Sequence, residues 1–145
     1  HSFPTRRSSD LEIFAEGIQL RILKDDKGIN FGSVYENVVA QELHAHGFEL
    51  YYFNSKKQGE LDFVIEKDGK VVPIEVKSGK DYQRHNALTN VLANPDYQIK
   101  EAMVFSNSNL SRTDKTIYLP IYMTAFLKKD TMLPITYTVD LSGLR

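Results

Sequence analysis

Residues 60–77 read ELDFVIEKDGKVVPIEVK and indicate a β-hairpin. Two strand-like segments, 60–66 and 71–77, flank the dipeptide Asp68-Gly69. An Asp-Gly pair between alternating apolar residues is the strongest short-range signal for a two-residue type I′ turn. We therefore predict that the fold is built around this hairpin.

The turn fixes the register of the two strands, and counting outward from it predicts the cross-strand partners. Asp62 is expected opposite Glu75, and Glu60 opposite Lys77. The same count puts Pro73 at a non-hydrogen-bonded position, where its missing N–H is not needed. Because side chains alternate along a strand, these polar residues share one face of the hairpin. The opposite face is predicted to enter the core and carries Leu61, Phe63, Ile65, Val72, Ile74 and Val76.

Two opposed carboxylates repel each other, so the pair of Asp62 and Glu75 needs a group that offsets the repulsion. Mg²⁺ (or Mn²⁺) is the natural candidate, since Mg²⁺ favours one or two protein carboxylates together with waters and phosphates. Lys77 could orient or deprotonate a water, or stabilise charge that develops at phosphorus. The alternative is a solvated sheet face, with Glu60 and Lys77 as a surface ion pair of little energetic weight.

The rest of the chain predicts an α/β domain with a mixed sheet. A helix over 33–46 is expected to begin with a capping box of Ser33 and Glu36 and to end at Gly47. We expect its apolar side to carry Val34, Tyr35, Val38, Val39 and Leu43. The other predicted elements are strands at 20–23, 48–53, 102–105, 115–119 and 135–139, a helix at 84–93 and a short helix at 120–127.

Composition bounds the class of protein. The chain has 145 residues and a net charge of -1, which removes any strong global electrostatic argument for nucleic-acid binding. The absence of cysteine excludes disulfides and thiolate metal sites. No apolar run is long enough for a membrane helix and no signal peptide is visible, so a cytoplasmic location without membrane contact is expected.

The first eleven residues, HSFPTRRSSDL, have no apolar periodicity and look like the translation of a short-read sequencing adapter. We exclude residues 1–11 from the fold prediction and assign the domain to 12–145. On this interpretation the chain is a fragment of a longer protein, which sequencing of the native locus would check.

Gly32 and Glu36 on a helix, followed by Asp62 and then Glu75-Val76-Lys77, resemble the PD-(D/E)XK nuclease superfamily. That superfamily includes restriction endonucleases and archaeal Holliday-junction resolvases. The resemblance implies a restriction-endonuclease-like αβββαβ core. It also implies metal ligation by Asp62 and Glu75, with the Val76 carbonyl as a third oxygen, and catalytic roles for Lys77 and Glu36. The residues before the aspartate depart from the pattern, since Glu60-Leu61 stands where proline is usual.

A closer resemblance involves the segments ENVVAQEL (36–43), ELDFVI (60–65), PIEVKSG (73–79) and LPIYM (119–123). They resemble the C-terminal domain, named domain of unknown function 4143, of a bacterial and archaeal AAA+ ATPase family. The resemblance implies that an ATP-binding module belongs in the same chain. The 145 residues contain no P-loop motif of the form G-x-x-x-x-G-K-[ST]. Motif retention favours phosphodiester hydrolysis, and the alternative is a non-catalytic module that binds DNA or a partner.

Other residues have two interpretations each. Glu36 either holds a metal-bound water or only closes the capping box. Glu42, near the centre of the apolar side, either reaches Lys77 or forms a structural ion pair, and Glu60 is predicted to support Lys77. Phosphate contacts from loops beside the site are a weaker expectation, and the candidates are Lys56, Lys57, Lys80, Arg84 and His85.

Overall fold

A computed structural model describes residues 5–6 and 31–129. The predicted strands at 20–23 and 135–139 lie outside the described residues. Within the described part, no helix has the length and apolar character needed to cross a membrane. The elements in chain order are β1 (Thr5–Arg6), α1 (Phe31–Ala45), β2 (Tyr51–Ser55), β3 (Gly59–Lys67), β4 (Lys70–Lys77), α2 (Asn86–Ala93), a 3₁₀ helix (Pro95–Tyr97), β5 (Ala102–Ser106), β6 (Ser111–Thr113), β7 (Thr116–Pro120) and a second 3₁₀ helix (Ile121–Phe126).

The strands form one mixed sheet in the order β1-β2-β3-β4-β5-β7-β6. The pairs from β1 to β4 are antiparallel, β4-β5 and β5-β7 are parallel, and β6 closes the far edge antiparallel to β7. The mixed α/β class and the predicted helix-strand-strand-strand-helix-strand order are confirmed. Strand β6 was not predicted. Strand β1, inside the segment excluded from the prediction, pairs with Tyr51 and Tyr52.

Each face of the sheet carries its own apolar cluster, so the hairpin is covered on both sides. On one face, α1 packs through Val39, Ala40 and Leu43 against β3, β4 and β5. On the other face, α2 packs through Leu88 and Val91 against β2, β3 and β5. Burial on both faces explains why β5 is buried at every position.

The sequence predicts the end of α1 correctly but not its beginning. The helix already includes Phe31 and Gly32, so the predicted capping box is wrong: Ser33 lies within the helix and cannot act as the N-cap. The predicted end is confirmed. Gly47 has a φ of 85°, its N–H donates to His44 O, and the Phe48 N–H donates to Leu43 O, each at 3.0 Å. These two bonds form a Schellman motif. The apolar side is narrower than predicted, since Val38 is exposed.

The hairpin turn is of the predicted type. Asp68 and Gly69 have φ values of 53° and 69°, as a type I′ turn requires. The ladder runs from Lys67↔Lys70 to Phe63↔Ile74 in the predicted register, with Pro73 opposite Val64. It ends there, so the predicted cross-strand partners Asp62–Glu75 and Glu60–Lys77 are not ladder pairs.

A β-bulge in β3 explains why the ladder ends. Tyr51 pairs with Val64, but Phe53 pairs with Leu61, which leaves Asp62 and Phe63 opposite the single residue Tyr52. The extra residue reverses the alternation of side chains. Leu61 therefore packs in the cluster of α2, whereas Phe63 packs in the cluster of α1. The prediction that Leu61 shares a face with the other five apolar residues of the hairpin is wrong for this reason.

Candidate functional site

An open cavity of about 520 Å³ lies on the face of the sheet that α2 covers, at the end of β4. We call it the carboxylate cavity. One wall comes from β3 and β4, and the other from the start of α2 and the residues before it. The lining residues are Glu60, Asp62, Glu75, Lys77, Arg84, His85, Asn86 and Ala87. The fold thus brings together three of the four predicted catalytic residues.

Asp62 is held by the backbone of the neighbouring strand. Its Oδ2 accepts a hydrogen bond from the Val76 N–H at 2.7 Å. In a regular ladder that N–H would donate to a carbonyl of β3, but the bulge removes this partner and the aspartate side chain takes its place. The carboxylate is therefore fixed directly beside β4, next to the residues on either side of Val76.

Glu75 is a nearly buried acid, with 5% of its side chain exposed. Burial and, to a smaller extent, the neighbouring Asp62 carboxylate together raise the pKa of Glu75 to about 7, although Lys77 lowers it. Lys77 Nζ lies 3.2 Å from Glu75 Oε2. A buried carboxyl that is half-protonated near neutral pH beside a second carboxylate is a group that a cation would stabilise in its charged form.

Glu60 stands at the edge of the carboxylate cavity and has a different partner from the predicted one. Its Oε1 accepts a hydrogen bond from the Tyr52 O–H, and Tyr52 in turn accepts from Asn54 Nδ2 at 3.0 Å. Lys77 pairs with Glu75 instead. The expected ion pair between Glu60 and Lys77 is therefore not formed, because Tyr52 sits opposite the bulge, within reach of Glu60.

His85 joins the wall of α2 to the sheet. Its Nε2 lies 2.8 Å from the Tyr118 hydroxyl and its Nδ1 lies 3.3 Å from Thr89 Oγ1. The Thr89 hydroxyl donates to His85 O, so it accepts from Nδ1–H, and Nε2 accepts from Tyr118. Burial lowers the pKa of His85, which agrees with this neutral form. The bond to Tyr118 anchors the segment that carries Arg84.

Gly59 lets α2 approach the hairpin closely. It has a φ of 101°, and a Cβ added there would lie 2.9 Å from the Cβ of Ala87. We expect Gly59→Ala to lower the free energy of unfolding by about 3 kcal/mol, because backbone strain adds to a collision that pushes α2 outward.

Gly69→Ala is the matched control for this prediction. Gly69 also has a positive φ, but nothing lies within 4 Å of the added Cβ, so only strain remains, on the order of 1 kcal/mol. Urea denaturation of both variants makes the comparison. Equal losses would show that the contact with Ala87 has no energetic weight.

Several predicted site residues lie elsewhere. Glu36 is on α1, the helix that packs on the other face of the sheet, and is not among the residues that line the carboxylate cavity. Glu42 is half-exposed, and its Oε1 lies 3.8 Å from His46 Nε2, a contact with a residue one turn away rather than with Lys77. Within the described residues, no three His, Cys, Asp or Glu side chains are grouped so that they could hold a metal ion. The cavity lining also omits Lys56, Lys57 and Lys80.

Other residues of the site were missed or only partly recognised. Arg84 and His85 were predicted to border the site, and both line it, but the role of Tyr118 as the partner of His85 was not predicted. No local pattern signals that contact, because 33 residues separate the two. The Asp62–Phe63 bulge also has no signature in the sequence.

Comparison with known proteins identifies a matching family. Residues 31–124 match a family model described as a domain of unknown function (DUF4143). No curated protein and no solved structure matches the chain. The matched region contains α1, the hairpin, α2 and the parallel strands, and thus every residue that lines the carboxylate cavity.

Proposed function

The chain belongs to the DUF4143 family, and we propose that its domain is a metal-dependent nuclease-like module that hydrolyses phosphodiester bonds. The observation that supports this proposal most directly is the pair of Asp62 and Glu75 on the wall of an open cavity, with Lys77 beside them. This arrangement also motivates the proposed kinship with the PD-(D/E)XK superfamily, to which the order of these residues is similar.

The donor set fits Mg²⁺ or Mn²⁺. Asp62 and Glu75 would hold the ion, with the Val76 carbonyl as a further oxygen. Mg²⁺ keeps several waters and binds through one or two carboxylates plus substrate phosphates, so it does not need a third acidic side chain. A bound Mg²⁺ would supply Lewis-acid polarisation of a phosphoryl oxygen and a more acidic water.

The chain's own residues have distinct tasks in the proposed reaction. Asp62 is oriented by the Val76 N–H, and Glu75, whose pKa is raised to about 7 chiefly by burial, would hold the ion as the deprotonated carboxylate. Lys77 Nζ, which pairs with Glu75, is placed to orient the attacking water or to stabilise charge on the phosphate. Arg84 enters from the opposite wall, where a guanidinium can form paired hydrogen bonds to phosphate oxygens.

Metal binding is the first property to measure. We expect Mg²⁺, titrated by calorimetry at pH 8, to bind the parent domain and not the Asp62→Ala/Glu75→Ala variant. A ligand that binds only the native state stabilises it, by about 2.7 kcal/mol at a hundred times the dissociation constant, so the melting temperature of the parent should rise with Mg²⁺.

Glu60→Gln is the control, since Glu60 lines the same cavity but is bonded to Tyr52. This variant should bind Mg²⁺ as the parent does. Loss of binding in Glu60→Gln would contradict the proposed ligand set, and equal binding by the parent and the double variant would contradict the site.

A second candidate is a non-catalytic module that binds DNA or a partner. Glu36 favours it, because this acidic residue of α1, which belongs to the superfamily pattern, is not among the residues that line the carboxylate cavity. A domain that binds Mg²⁺ but cleaves neither plasmid, branched DNA nor RNA would support this second function.

The proposal also includes a link to an AAA+ ATPase in the same chain, on the strength of the sequence resemblance. The native locus should then encode a P-loop upstream of the segment that begins at Phe31. An uninterrupted upstream reading frame without a P-loop would contradict the link and leave the carboxylate cavity unaffected.

A further inference from the structure

A second open cavity, of about 390 Å³, lies where β5 and β7 end. We call it the tyrosine cavity. Its lining residues are Tyr35, Ser106, Asn107, Ser108, Asn109, Pro120, Ile121 and Tyr122. Ser106 and Pro120 are the last residues of β5 and β7. In α/β sheets, ligands bind in the crevice outside the carboxyl ends of parallel strands, and this cavity has that position.

The tyrosine cavity is adjacent in the sheet to the end of β4. Lys77 is paired with Ser106, and Ser106 with Pro120, so the last residues of the three parallel strands form one row. Neighbouring strands are about 4.8 Å apart. The Cα atoms of Lys77, which lines the carboxylate cavity, and Pro120, which lines the tyrosine cavity, are therefore about 10 Å apart.

The two cavities differ in chemistry. Three acidic and two basic side chains line the carboxylate cavity, whereas none of the eight residues of the tyrosine cavity carries a charge. Its lining offers two aromatic rings, from Tyr35 and Tyr122, together with side-chain amides and hydroxyls. Rings with neutral donors and acceptors suit a flat, uncharged, polar ligand rather than a metal ion or a phosphate.

The polar lining is held in place by contacts within the fold. Ser106 is fully buried, its Oγ lies 2.7 Å from Ser108 Oγ, and it accepts from the Ser108 N–H at 3.2 Å. Asn107 Nδ2 donates to the Tyr35 hydroxyl at 3.1 Å, which ties the loop after β5 to α1. A pre-formed lining of this kind lowers the entropic cost of binding a ligand.

Tyr122 stands at the mouth of the cavity with 72% of its surface exposed. Packing of the core does not account for an aromatic side chain in this position. An exposed ring beside neutral hydrogen-bonding groups is typical of a surface on which bases stack.

We propose that the tyrosine cavity binds an unpaired nucleobase of a nucleic-acid strand whose phosphate lies in the carboxylate cavity. This inference rests on the proposed function, since a phosphodiester held by Lys77 and Arg84 in the carboxylate cavity would bring the neighbouring base, a flat and neutral group, within reach of the tyrosine cavity. Tyr122 stacks on the base, and the amides of Asn107 and Asn109 hydrogen-bond to its edge.

The test compares two oligonucleotides of equal length, one of single-stranded deoxyadenosine and one made of abasic sites. Fluorescence anisotropy is measured with EDTA at low salt, so that neither metal binding nor cleavage is needed. Tyr122→Ala should weaken binding of the deoxyadenosine strand about tenfold, because one base loses its stacking partner. Binding of the abasic strand should not change.

Phe126→Ala is the matched control. Phe126 lies on the same 3₁₀ helix, is equally exposed at 72%, and does not line the cavity, so this variant should bind both strands as the parent does. Equal weakening of both strands by Tyr122→Ala, unchanged binding, or no binding by the parent would each overturn the proposal. Failure of Mg²⁺ binding in calorimetry would instead count against the proposed hydrolysis alone.

Discussion

Lys77→Ala is expected to lower Mg²⁺-dependent phosphodiester hydrolysis by about 10²–10³-fold, because one positioned cation or donor that stabilises transition-state charge is worth that much. The rate is measured with saturating Mg²⁺ on a substrate that the parent cleaves. The fold should survive, since Lys77 is one-third exposed and contributes no core packing. Circular dichroism checks the fold, and calorimetry checks that Mg²⁺ still binds.

Lys80→Ala is the control for this experiment. Lys80 is an exposed lysine three residues further along, outside the carboxylate cavity, so its removal changes the net charge equally but should leave the rate unchanged. Cleavage by Lys77→Ala at the parental rate would exclude the proposed role. A loss of Mg²⁺ affinity in the same variant would show that Lys77 acts by placing Glu75.

The metal-free domain should become less stable as pH rises through the neutral range. Glu75 has a pKa of about 7 in the folded state and 4.5 as its ordinary value, so the folded state binds more protons between these limits. The contribution of Glu75 to the free energy of unfolding is therefore most favourable below pH 4.5. It declines as pH rises and is lost once pH exceeds 7. Because one pKa unit corresponds to about 1.36 kcal/mol, the free energy of unfolding should fall by on the order of 3 kcal/mol.

Glu75→Gln isolates this contribution, because glutamine cannot titrate. His85 acts in the opposite direction: its lowered pKa gives stability that is complete above its ordinary value of 6.5 and declines as pH falls below it. The informative quantity is therefore the difference in unfolding free energy between parent and variant, from urea denaturation between pH 4.5 and 8. A difference that does not change with pH would contradict the raised pKa of Glu75.

Local chemistry explains what could be predicted from the sequence. Asp68-Gly69 determines the turn and, through it, the register as far as Phe63 and Ile74. The end of α1 followed from Gly47 in the same way. These features depend on backbone preferences of a few adjacent residues, which a single sequence contains.

Features that depend on a third element could not be predicted. The bulge at Asp62 depends on pairing with β2 as well as with β4, so the hairpin alone does not reveal it. The position of Glu36 depends on which face of the sheet α1 covers. Helical periodicity identifies the buried side of a helix, but it does not identify the face of the sheet against which that side packs.

The single extra residue in β3 also determines how the site could be transferred to another protein. If Asp62, Glu75 and Lys77 were copied onto a regular hairpin, their spacing in the sequence would be kept but the arrangement of their side chains would be lost. Without the bulge, Leu61 would point to the other face, and the Val76 N–H would donate to a backbone carbonyl instead of Asp62. The transplantable unit is therefore the bulged hairpin together with its neighbour β2. Deleting one residue from β3 should remove the site more completely than any single substitution within it.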